Sequence, residues 1–157
     1  MKIKTTLLTL SLTFTLAQAD YFIKYKGVKL GEIQNLDTLK DLYLNAKATN
    51  PVVRFLLGKN RYVFYAGEKP SVPDAKFRKD KNQLLFALRE AITHRPKHKE
   101  FQIRGNRKLV VSCKDNLCQY KYYKNGKYKD SGIIEFDKEG NFYKLTEKNS
   151  NVVIVKK

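Results

Sequence analysis

Asn125-Gly126 lies between two runs of strand-forming residues, and it constrains the fold more than any other dipeptide in the chain. A two-residue loop joining antiparallel strands needs positive φ at both positions, which Asn and Gly tolerate. Residues 108–155 accordingly read as an antiparallel meander. A strand over 108–113 turns through Lys114-Asp115-Asn116-Leu117 into a second over 118–124. Later turns fall at Glu139-Gly140-Asn141 and Asn149-Ser150-Asn151, and residues 152–155 form the closing strand. Pairing across Asn125-Gly126 sets Tyr123 opposite Tyr128, Tyr122 opposite Lys129, and Lys121 opposite Asp130.

Side chains alternate along a strand, so Leu109, Val111, Tyr120 and Tyr122 share one face. A regular ladder would continue that face into Ile133 and Glu135 and leave Ile134 and Phe136 on the other. A bulge at Ser131-Gly132 turns Ile134 and Phe136 inward, and this is the favoured arrangement.

The only two cysteines, Cys113 and Cys118, bracket the first loop of the meander. An even pair at this spacing reads as one disulfide in an exported protein. It is not the C-x-x-C of redox sites, and no second cysteine pair completes a zinc site. Export has its own signature. Lys2 and Lys4 precede the apolar run of Leu7, Leu8, Leu10, Leu12, Phe14 and Leu16, and Ala17-Gln18-Ala19 offers a cleavage site before Asp20. The run is too short to span a bilayer comfortably. The expected organisation is a signal peptide over residues 1–19 and a single secreted domain over 20–157.

Residues 21–33 alternate loosely around Gly27 and Gly31, as an opening hairpin does. Leu36, Leu39 and Tyr43 have helical spacing, whereas Leu42, Leu44, Ala46 and Ala48 alternate. A helical turn followed by a strand satisfies both, and Asn50-Pro51 then breaks the chain. Residues 61–66 form a strand, and residues 67–76, with Pro70 and Pro73, form an exposed loop. Asp80 caps the main helix, whose stripe is Leu84, Leu85, Leu88, Ala91 and Ile92, and Pro96 ends it. The expected fold class is α+β: a curved antiparallel sheet, made of the N-terminal hairpin and the C-terminal meander, packed on one main helix. In outline this resembles the small secreted domains of Gram-negative envelopes that pair such a sheet with one helix, although no diagnostic motif accompanies the likeness.

The formal charge is +17, and it is still +15 without residues 1–19, which carry two lysines and no acid. Such an excess favours anionic partners, although a lysine-rich proteome produces the same bias. The cations concentrate with aromatics in QYKYYKNGKYKD, residues 119–130. Tyr120, Lys121, Tyr122, Tyr123, Lys124, Lys127, Tyr128 and Lys129 are the candidate ligand-binding residues, because a ring can stack on a base or sugar while a neighbouring ammonium meets phosphate or carboxylate. A second basic cluster runs from His94 to Lys99. Pro96 separates His94 from His98 and cationic neighbours surround both, which argues against a metal site. No serine has a nucleophile-elbow context, no glycine-rich phosphate loop occurs, and Asp137 and Glu139 flank a turn. No cofactor is expected.

The function expected is therefore non-enzymatic: a periplasmic protein that binds an anionic envelope component through its basic, tyrosine-rich sheet surface. Lipopolysaccharide, anionic lipid or an acidic protein would serve as partner, and nucleic acid also fits the chemistry. The alternative is a carrier of an apolar or lipid ligand in a sheet-and-helix cavity, and the third reading is a carboxylate-dependent envelope hydrolase. Inhibition of lysozyme is disfavoured, because that target is itself basic.

Overall fold

A computed structural model describes residues 21–34, 43–58, 60–80 and 84–157. The expected signal peptide and the expected helical turn after Asn35 lie outside these residues, as do the side chains of Leu84 and Leu85. The chain opens with β1 (Tyr21–Tyr25) and β2 (Val28–Ile33), then β3 (Tyr43–Ala48), α1 (Pro51–Leu57), β4 (Arg61–Tyr65) and β5 (Ala75–Lys79). After α2 (Leu84–His94) come β6 (Lys99–Ile103), β7 (Arg107–Lys114), β8 (Leu117–Lys124), β9 (Lys127–Phe136), β10 (Phe142–Glu147) and β11 (Val152–Lys156).

All eleven strands join one sheet in the order β5-β4-β3-β2-β1-β11-β10-β9-β8-β7-β6. The first and last strands meet at its centre, where Tyr21 pairs with Lys156 and Ile23 with Ile154. Two meanders run outward from that seam. Every neighbouring pair is antiparallel except β4 and β5, which run parallel.

The expected α+β arrangement, an antiparallel sheet packed on one main helix, is therefore corrected: the molecule is mostly sheet, the sheet is mixed, and both helices are short. Three segments account for the difference. Residues read as loop end in β5, and the basic cluster after the helix runs into β6. Both are edge strands, in which exposed Lys76, Arg78, Lys79, Lys99 and Glu100 protect the edge with charge and leave only two alternating apolar residues each, Ala75 and Phe77 in β5 and Phe101 and Ile103 in β6. Asn50-Pro51 does not merely break the chain. The Asn50 side chain accepts hydrogen bonds from the Val52 and Val53 amides (3.0 and 3.3 Å), Pro51 begins α1, and Gly58 at φ 69° ends it, its amide donating to the Arg54 carbonyl.

The core lies on one face. Cys118, Ile134, Leu145, Ile154 and Ile23 follow one another in register from β8 to β1. Across them α2 lays buried Ala87 and Ala91, with Leu88 and Ile92 packed beside them, so its apolar stripe does face the sheet. Small residues let the helix come close. Tyr21 is wholly buried, its hydroxyl donates to the Phe142 carbonyl (2.9 Å), and its ring stands 5.1 Å from that of Phe142.

The expected hairpins form. Asn125 and Gly126 have φ of 51° and 71°, and Tyr123 pairs with Tyr128. Beyond that pair the register shifts, since Tyr122 faces Asp130 and Lys121 faces Ser131. Lys129 is therefore the extra residue, and the bulge sits there rather than at Ser131-Gly132. Its consequence is the one expected, with Ile134 and Phe136 buried. Its position is fixed from the last turn of the sheet: Asn149 Nδ2 donates to the Lys129 carbonyl (2.8 Å), and Asp130 Oδ1 accepts from the amides of Ser131 (2.7 Å) and Asn149 (3.3 Å).

The Cys113–Cys118 disulfide is present and joins residues directly opposite each other on β7 and β8. It closes a short loop whose register the ladder also holds. The variant Cys113→Ala/Cys118→Ala should keep the sheet and lose about 2 kcal/mol, the chain-entropy value for so small a loop. Urea unfolding with an unchanged slope checks this, and a lower slope would show that the hairpin needs the bond to form.

Candidate functional site

The register at Lys129 divides the eight candidate residues among different surroundings. Tyr120 and Tyr122 share the core face with Leu109 and Val111, as alternation required. They line a cavity of about 300 Å³ between β7–β10 and α2. Leu88 and Ala91 of the helix form its roof, Ile134 and Leu145 extend its apolar wall, and Asp130 and Glu147 give it a polar end.

Tyr120 is the pivot of this cavity. It stands opposite Gly132 on β9, and a Cβ at Gly132 would fall on the Tyr120 ring and hydroxyl. The missing side chain is what lets the ring lie flat across the strand. Burial pushes the Tyr120 phenol far above its ordinary range, and the carboxylates of Glu147 and Asp130 push it further, Glu147 also accepting its hydrogen bond. Both carboxylates are engaged locally as well. Ser150 Oγ donates to Glu147 Oε2 (2.5 Å), and Asp130 holds the bulge.

The basic residues gather at the ends of two hairpins. The Asn125 amide donates to the Asn106 carbonyl (2.7 Å), which ties the β8–β9 turn to the β6–β7 turn. Arg107 then faces Lys124, and Lys124 faces Lys127. These three cations form one row across β7, β8 and β9, on the face of Leu109 and Tyr122 and one rung further out. Like charges directly opposite one another destabilise a sheet, so this row costs stability. Lys121, Tyr123 and Tyr128 belong to the other face. There the Tyr123 and Tyr128 rings meet edge to face at 6.1 Å, Tyr128 shares a hydrogen bond with Ser131 (2.9 Å), and Lys108 Nζ lies 5.5 Å from the Tyr123 ring while pairing with Glu100 (3.2 Å). Lys129 is exposed on the bulge.

His94 and His98 have different partners, Glu90 (3.6 Å) and Ser112 (2.9 Å). Asp137 closes its own turn by accepting from the Asn141 amide (2.7 Å), which holds its carboxyl below the usual range. Among the described residues no three His, Cys, Asp or Glu side chains converge as a metal site would need. Sequence reasoning missed Arg107, Gly132 and Glu147 as members of the site. A glycine inside a strand can mark a close approach as well as the bulge expected at Ser131-Gly132, and the pairing shows that the Tyr120 ring fills the space at Gly132.

Two outcomes follow. Gly132→Ala should destabilise the fold by about 1–3 kcal/mol through overpacking, and much less in a Tyr120→Ala background, as a double-mutant cycle would measure. Equal costs in both backgrounds would place the conflict elsewhere. The raised Tyr120 phenol keeps its proton when the unfolded chain loses it near pH 10.0, so its contribution to stability is complete below that pH and declines above it. Ultraviolet titration at alkaline pH should therefore show fewer ionised phenols in the folded protein than in denaturant, and Tyr120→Phe should reduce that difference by one. Comparison with family models, with curated proteins and with solved structures finds no match for this chain.

Proposed function

We propose that the protein is a non-enzymatic periplasmic binder of an anionic envelope component, and that Arg107, Lys124 and Lys127 meet the phosphates or carboxylates of that ligand. The observation that carries this reading is the in-register row of three cations. A sheet gains nothing from Lys124 opposite Lys127, whereas an anion placed across them relieves the repulsion and adds charge-assisted hydrogen bonds. Tyr123, Tyr128 and the exposed Lys129 extend the surface with aromatic area and charge. Lipopolysaccharide and anionic lipid fit this chemistry directly; an acidic protein or nucleic acid fits it through the same contacts. The disulfide suits an oxidising compartment, and no helix among the described residues is long and apolar enough to cross a membrane.

The cavity supports a second reading, a carrier of a small amphiphile. Asp130 and Glu147 at its polar end would repel an anionic head group and accept hydrogen bonds from an amine. A long-chain amine should then bind where the corresponding fatty acid does not, and Ala91→Leu should block it. The hydrolase reading has the same two carboxylates available, but hydrogen bonds from Ser131, Asn149 and Ser150 tie them to the turns they stabilise.

The leading proposal predicts opposite effects on binding and stability. Lys124→Ala/Lys127→Ala should bind immobilised lipopolysaccharide more weakly, with the slope of log affinity against log salt shallower by about 2. The same variant should be more stable to urea by about 0.2–1 kcal/mol, because the facing ammonium groups are gone. Unchanged affinity together with lower stability would make the row structural and overturn the assignment.

A further inference from the structure

Far along the sheet from the cation row, α1 presents apolar side chains to solvent. Phe55 is 86 % exposed, Leu56 74 % and Val52 66 %, and no residue of the helix is buried. Large apolar side chains grouped this way mark a surface that something else covers. The helix is held firmly despite this, with Asn50 and Gly58 capping it and Arg54 Nε donating to Asn60 Oδ1 (2.9 Å).

The ground on either side of α1 narrows the choice of partner. On one side Val53 and Leu57 border an apolar groove of about 400 Å³, floored by Ile23, Ala46, Tyr62 and Phe64. On the other, Arg54 borders a pocket whose walls include Lys47 and Arg61, with Asp74 as its acid. Lys47 belongs to both, and Arg78 stands at the groove. None of these four cations forms an ion pair among the described residues. Exposed apolar side chains on a helix whose sheet side is bordered by cations match the boundary of an anionic bilayer, where acyl chains receive the former and lipid phosphates the latter.

We infer that α1 is a membrane-contact element: Val52, Phe55 and Leu56 enter the acyl boundary of an anionic phospholipid bilayer while Lys47, Arg54 and Arg61 engage its phosphates. This surface is separate from the cation row at Arg107, Lys124 and Lys127, and it does not rest on that row's function. A seven-residue helix buries too little for permanent anchoring, so the contact is reversible and weakened by salt.

The chain has no tryptophan, so Phe55→Trp introduces a single reporter at the tip of the patch. With the exported, processed protein, its emission should shift to the blue on vesicles of phosphatidylglycerol and phosphatidylcholine in equal parts, and should stay unchanged on phosphatidylcholine alone. Phe55→Ser/Leu56→Ser should weaken sedimentation with the anionic vesicles by at least about tenfold while leaving the far-ultraviolet spectrum and melting temperature as they were. Lys124→Ala/Lys127→Ala should leave the Phe55→Trp shift intact, which separates this proposal from the one above. The inference is overturned if the protein sediments with vesicles and the emission does not move. It is equally overturned if the emission is already blue-shifted without lipid, since a second copy or another segment of the chain then covers the patch.

Discussion

The bulge at Lys129 decides what the inner face of this sheet contains. A regular ladder beyond Tyr123 and Tyr128 would have carried Ile134 and Phe136 to solvent. One extra residue reverses the phase of the strand, because side chains alternate with period two. Everything downstream depends on that reversal: the apolar row from Cys118 to Ile23, the Phe136–Phe142 contact that supports Tyr21, and Gly132 placed opposite Tyr120. Asn149, arriving from the last turn of the sheet, holds the bulge by bonding the Lys129 carbonyl.

The same reversal separates chemistries that are adjacent in sequence. Alternation sends Tyr120 and Tyr122 towards α2 and Tyr123 to the opposite face, and the bulge brings Asp130 beside the inward tyrosines. One stretch of tyrosine and lysine thus becomes a cavity wall, a row of cations and an aromatic pair. The cavity is acidic at its polar end although the molecule is strongly basic, so one ligand does not suit both surfaces. On the reading proposed above, anions belong at the hairpin ends, and donors of positive character would suit the interior.

Edge treatment follows equally simple physics. The seam of β1 with β11 places the strands at both ends of the described chain in the middle of the sheet, which leaves β5 and β6 as its borders. Both borders are rich in lysine, arginine and glutamate, as strands are when their open hydrogen-bonding groups must not recruit another chain. Each is left with a short apolar alternation set among charges, Ala75 with Phe77 in β5 and Phe101 with Ile103 in β6.

What the sequence determined by itself was local. Asn125-Gly126 required positive φ at both positions, Cys113 and Cys118 bracketed one short loop, Leu109, Val111, Tyr120 and Tyr122 shared a face, and Leu88, Ala91 and Ile92 formed the stripe by which α2 meets the sheet. Each rests on backbone geometry within a few residues. Asn50, Pro51 and Gly58 also carry a complete set of helix boundary signals, although Asn50-Pro51 by itself reads as a break. Tertiary structure alone decided where the bulge falls, which strands border the sheet, and that Glu147 reaches Tyr120. Those relations join segments separated by many residues, and no local pattern encodes them, because strand pairing is set by the burial of the whole face at once.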